Sequence, residues 1–163
     1  MRPAALSAAL SLAVVTVTGC ASHPASEQSD PRVGTWTLNV NRSNFNGPGL
    51  RSQTVTFTPA DDGALKFTAE QVNPDGKQLT IGWTARPDGK DYPVTGHPIA
   101  DMVSIAETDA NTSQALLKAA GKVTQRIAFD VAPDGKTMTA TVMGMTSFAS
   151  GDQNKNVHFL EKR

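Results

Sequence analysis

From Gly34 to the C-terminus, short runs rich in Thr, Val and Phe are interrupted by clusters of Gly, Pro, Asp and Asn. The runs are 34–40, 52–58, 64–72, 78–85, 101–108, 113–119, 123–131, 137–145 and 155–162. Their spacing of roughly ten residues is that of an all-β sandwich or barrel and leaves little room for helices. The expected fold is an all-β antiparallel meander closing into a small barrel of about 8–9 strands.

The tetrapeptide Pro-Asp-Gly-Lys occurs at 74–77, 87–90 and 133–136. Pro presets φ at the first bend position, and Gly supplies a left-handed third. At 74–77 this predicts a three-residue hairpin loop in which Ala69 faces Ile81, Phe67 faces Trp83 and Leu65 faces Ala85. Apolar side chains then meet apolar partners on one face. At 133–136 the same register would set Phe129 and Ile127 against threonines. A one-residue shift to Met138 and Ala140 is expected instead, with a bulge or longer loop at 132–136. The middle copy precedes Pro93, Gly96 and Pro98. It is expected to open a long ordered loop, because a central strand does not tolerate those prolines. The segment DANTSQALLKAAGK (109–122) reads locally as a helix capped at Thr112 and stopped at Gly121. Its place between strand-like runs favours a strand.

The first twenty residues, MRPAALSAALSLAVVTVTGC, carry one charge, Arg2, followed by a short run of small apolar residues. The stretch is too short for a stable spanning helix and has the build of an export signal. Its end, Val17-Thr18-Gly19-Cys20, resembles the lipobox of bacterial lipoproteins. The resemblance implies cleavage before Cys20, lipid attachment to its sulfur and a membrane anchor. Ala21 in place of Asp implies the outer membrane, on its periplasmic face. Cys20 is the only cysteine, so no intramolecular disulfide forms. The expected organisation is a signal peptide at 1–19, a lipidated cysteine with a small, polar, Pro-containing tether at 20–31, and a β-barrel domain at 32–163. His23 falls in the tether.

The whole chain has 15 Lys+Arg against 15 Asp+Glu. Loss of Arg2 with the signal leaves a formal charge of −1. The charges are scattered without a basic stripe, which argues against nucleic acid as a partner.

Gly34-Thr35-Trp36-Thr37-Leu38-Asn39, Asp88-Gly89-Lys90-Asp91-Tyr92-Pro93-Val94-Thr95-Gly96 and the ending Val157-His158-Phe159-Leu160-Glu161-Lys162 resemble a group of small exported bacterial proteins. Members read GTWKLN, DGKDYPVTG and a closing VYEK. That group brings a shape rather than a reaction. Gly34-x-Trp36 is also similar to the start of the lipocalin, or calycin, pattern. The resemblance implies that Trp36 closes one end of the barrel beneath a late basic side chain: Arg126, Lys162 or Arg163. No second lipocalin motif follows.

Catalytic signatures are absent: there is no Gly-x-Ser-x-Gly, no His-Glu-x-x-His and no phosphate loop. The expectation is a non-enzyme with no catalytic residues, no cofactor and no metal. His97 and Asp101 read as a loop pair rather than metal ligands, lacking a third ligand at useful spacing. His158 reads as an outward strand residue. The methionines at 102, 138, 143 and 145 read as gap-filling core. Six Phe, two Trp and one Tyr are few for an eight-strand barrel, whose interior holds side chains or one small ligand. A modest apolar cavity is therefore expected near Trp83 and Phe67, opening toward the 90–101 loop. Trp83, Phe67, Tyr92 and His97 are the candidate ligand-binding residues. Tyr92 either plugs the barrel mouth or touches the ligand. The resulting expectation is an anchored barrel that binds an apolar or amphipathic small molecule. The alternative is a structural or interaction lipoprotein with a filled barrel.

Overall fold

The computed structural model describes residues 30–144 and 155–163. Cys20, the expected signal peptide and most of the expected tether lie outside the described residues, as does Met145. The strands are β1 (Gly34–Leu38), β2 (Ser52–Pro59), β3 (Leu65–Val72), β4 (Gln78–Ala85), β5 (Asp88–Thr95), β6 (Met102–Glu107), β7 (Thr112–Ala119), β8 (Lys122–Val131), β9 (Thr137–Gly144) and β10 (Lys155–Lys162). Each pairs antiparallel with its neighbour in sequence, and β10 closes on β1. Among the described residues ten strands stand where about eight or nine were expected.

The extra strand is β5, which the prolines were expected to forbid. Its pairing explains how Pro93 is tolerated. Val94 N–H donates to Asp101 O on the β6 side at 2.8 Å. The neighbouring position 93 therefore faces β4, where pairing is confined to Gly82 with Thr95 and Trp83 with Val94. Pro93 sits just beyond that pairing, where a missing N–H breaks no ladder bond.

All three Pro-Asp-Gly-Lys copies share one local device. The Asp side chain accepts the Lys N–H two residues on, at 2.9 Å for Asp75, 3.0 Å for Asp88 and 2.9 Å for Asp134. Their glycines all have positive φ, +86°, +73° and +66°, which a Cβ would strain. The context differs. The first copy makes the three-residue hairpin in the expected register, with Phe67 facing Trp83. The second makes a bulge at the start of β5 rather than a long loop. The third closes a four-residue loop, with Ala132 N–H donating to Thr137 O. The added residue shifts the pairing opposite to the expected sense. Phe129 faces Ala140 and Ile127 faces Val142, not Met138 and Ala140. Val131 takes Met138, so the apolar inward residues Ile127, Phe129 and Val131 each still meet an apolar partner.

Residues 112–119 form a strand. Ser113, Ala115 and Leu117 are buried while their neighbours are half-exposed. The local helix preference yields to two-sided pairing with β6 and β8. Asp109 caps the preceding turn, accepting from Thr112 N at 2.9 Å.

One end of the barrel is sealed. Trp36 is fully buried and its indole N–H donates to Arg32 O at 2.7 Å. Lys162 Nζ lies 4.9 Å from the Trp36 ring centroid. Of the three basic candidates, Lys162 is the one over the indole. Gly34 makes this possible: a Cβ there would stand 2.6 Å from Lys162 Cε. Beneath, Arg32 is 5% exposed and pairs with Asp30 and with Glu107 at 2.8 Å. Above the seal an aromatic cluster fills the barrel's waist. Phe67 stacks on Trp83 at 4.8 Å and 8°, and Phe57 meets Phe129 edge-on at 5.6 Å. Such pairs add about 0.5–1.5 kcal/mol each beyond area burial.

Candidate functional site: an apolar cavity with one polar wall at the open end

The opposite end is not filled. A cavity of about 340 Å³ lies above the aromatic waist, at the small end of the roughly 300–1,000 Å³ usual for ligand sites. Its deep wall is Phe67, Trp83, Phe129, Ala69, Ala115 and Leu117, and its sides include Ile81, Ile127 and Val142. Phe45, Pro48 and Leu50 from the β1–β2 connection and His97, Pro98 and Ile99 from the β5–β6 connection complete it. Ile99 is 53% exposed, an apolar side chain left beside the opening.

A polar stripe runs across one wall. His158 Nδ1 and Gln53 Oε1 are 3.0 Å apart. Gln53 Nε2 donates to Gln71 Oε1 at 3.2 Å, and Gln71 Nε2 donates to Asn73 Oδ1 at 3.0 Å. With the proton of His158 on Nδ1, Gln53 and Gln71 each accept from one side and donate to the other, and the chain ends on Asn73. The stripe exists because β1 is short. It ends at Leu38, and the chain leaves as a 3₁₀ turn, Val40–Arg42. Beyond that point β2 and β10 have no strand between them, and Gln53 and His158 bond directly across the gap.

His158 was expected to face outward. It is 9% exposed and lines the cavity. The apolar residues beside it are the ones outside. Arg42 covers the Phe159 ring with its guanidinium carbon 3.6 Å from the centroid. Val157 exchanges backbone hydrogen bonds with Asn44 at 2.7 and 2.8 Å. The Arg42 side chain thus shields the outer face of β10 while Asn44 bridges its edge, and the inward row is Asn156, His158 and Leu160.

Burial pushes the His158 pKa down to about 4, so the imidazole is neutral near pH 7. An unfolded imidazole titrates near 6.5. The unfolded chain therefore takes up the proton first as pH falls. This contribution to stability is intact above about pH 6.5 and is lost progressively down to about pH 4, by up to about 3 kcal/mol. Denaturant unfolding across that window is expected to show a steeper acid loss for the wild type than for His158→Gln; equal slopes would contradict the buried neutral imidazole.

His97, expected at the ligand site, lines the cavity, and its Nδ1 accepts from Ile99 N at 3.3 Å. Burial lowers its pKa, and a hydrogen bond with Gln125 opposes that shift. Asp101 accepts from Ala120 N at 3.3 Å. Among the described residues no three His, Cys, Asp or Glu side chains gather as a metal site. Trp83 and Phe67 also line the cavity. Tyr92 is not among its lining residues: it packs against the core, and its hydroxyl donates to Asp88 Oδ2 at 3.0 Å. The structure thus brings together three of the four expected ligand-binding residues. Sequence reasoning missed Gln53, Gln71, Gln125, Asn156 and His158. Their common signal is a polar residue at an inward strand position near the same barrel end.

These features define a lipocalin-like antiparallel barrel with an open, mainly apolar cavity that has one polar wall. The chain is similar in fold to a point mutant of the fluorescent protein UnaG, with a TM-score of 0.54 and 12% identity, covering 82% of this chain and 96% of that one. No known protein-family model matches the chain. By sequence it is 29% identical over 108 residues to the arginine biosynthesis bifunctional protein ArgJ of Staphylococcus aureus, and 33% identical over 95 residues to that of Oceanobacillus iheyensis. These stretches take in 66% and 58% of this chain but only 25% and 22% of the relatives. The chain thus spans about a quarter of the length of the curated relatives it matches. The expectation of a non-enzyme is corrected by this finding. Both relatives are enzymes, and the partial likeness points weakly toward catalysis.

Proposed function

We propose that this protein is a lipid-anchored component of the cell envelope whose barrel binds an apolar or amphipathic small molecule. The cavity is the observation that carries the binding. An apolar pocket of ligand size, floored by stacked aromatic rings and edged by amides, costs stability unless something occupies it. A barrel filled by its own side chains is disfavoured by the same observation. The anchor rests on the lipobox-like sequence ending at Cys20, and the outer membrane on Ala21. Cys20→Ala is expected to leave the membrane fraction.

Trp83 is both a wall of the cavity and one of two tryptophans in the chain; the other, Trp36, is sealed at the far end. Titration with a neutral naphthylamine probe or a medium-chain alcohol should give saturable quenching or a shift of tryptophan emission. Trp83→Phe should lose that response while keeping the emission of Trp36. A flat titration with both compounds would overturn the binding reading.

A further inference from the structure

We infer that the cavity selects uncharged amphiphiles, with a hydroxyl, carbonyl or amide head, over molecules carrying an ionised carboxylate. This rests on the binding reading above and names the class of ligand. Among the described residues that line the cavity there is no lysine or arginine. Arg51 and Lys155 are exposed rather than in the lining. Arg126 alternates with the inward Gln125 and Ile127 and so faces the other side of β8.

What the cavity offers instead is amide groups. Gln53, Gln71, Gln125 and Asn156 line it, and beyond the bonds they already make with one another and with their neighbours, each amide keeps a second N–H and a second lone pair that a ligand can use. A neutral head can join such a chain by giving one hydrogen bond and taking another. A carboxylate can only accept, and it arrives without a counter-charge in a site of low polarity. Burying an unpaired charge is far more costly than burying a hydrogen-bonded neutral group. The nearest ionisable groups, His158 and His97, are both held toward their neutral forms by burial. The geometry orients the ligand as well. The tail lies on Phe67 and Trp83, and the head meets Gln53 and Gln71 toward the opening.

The test uses three compounds of equal chain length: decanol, decanamide and decanoate. Each is titrated near neutral pH into the mature chain, following tryptophan emission and displacement of the neutral naphthylamine probe. The expected result is that the alcohol and the amide bind about tenfold or more tighter than the carboxylate, about 1.4 kcal/mol. Gln71→Arg, which places a cation in the stripe, should narrow or reverse that ratio. Decanoate binding as tightly as decanol in the wild type would overturn the selectivity and leave the binding reading standing. Failure of all three, with no binding of the probe, would overturn both.

Discussion

Gly96→Ala is expected to lower the stability of the barrel by about 2–5 kcal/mol, combining left-handed strain with overpacking. Gly96 has φ +71°, and a Cβ built there would stand 1.9 Å from Thr80 O and 3.0 Å from Thr80 C. Both are backbone atoms of β4 and cannot rotate away. The chain must separate β4 from β5, and that seam is held at only two paired positions. His97, Pro98 and Ile99 follow directly, so the cavity's edge moves with it. For a barrel of this size the loss corresponds to roughly 10 °C or more in melting temperature. Gly89→Ala is the matched control. Gly89 has φ +73° with nothing within 4 Å of the added carbon, so it carries the strain without the clash. Thermal unfolding should rank wild type above Gly89→Ala above Gly96→Ala. Equal melting of the two variants would contradict the close approach of Gly96 to Thr80.

The second large effect concerns the cavity itself. Ile127 lines it from the middle of β8, half-buried, between Ala115 on β7 and Val142 on β9. Both neighbours are small, so a larger ring at 127 has the void to enter rather than packed atoms to displace. Ile127→Trp is expected to fold, with a stability change within about 1–3 kcal/mol of wild type. It should bind a medium-chain alcohol at least about 100-fold more weakly, since the ring occupies the space the tail needs. Displacement of the neutral probe measures this directly. Unchanged affinity in a folded Ile127→Trp would place the ligand elsewhere.

The register of β3 and β4 was legible from the sequence because the Pro-Asp-Gly-Lys turn at 74–77 and the apolar alternation of Phe67, Ala69, Ile81 and Trp83 agree. The sealed end was legible as a Gly-x-Trp start needing a late cation, though not which one. Strand β5 was not, because a rule about central strands was applied to Pro93, which faces a seam where pairing has stopped. The polar wall of the cavity was missed for a related reason. Alternation identifies the inner face by its apolar residues only where the inside is packed. In β10 the inside is a cavity that tolerates Asn156 and His158, while on the outside the Arg42 guanidinium covers Phe159. The pattern inverts where the barrel is hollow, so the candidate site was the part least readable from hydrophobicity. Trp83, Phe67 and His97 were found because aromatic scarcity and the loop position pointed to one end.

Isothermal titration calorimetry of decanol into the mature wild-type chain and into Ile127→Trp tests the central claim most directly. The wild type should show saturable heat with a stoichiometry of one and a negative heat-capacity change on binding, the mark of apolar burial. The filled variant should show dilution heat alone. No saturable heat in the wild type, or the same isotherm in both proteins, would contradict a ligand-binding cavity within the barrel.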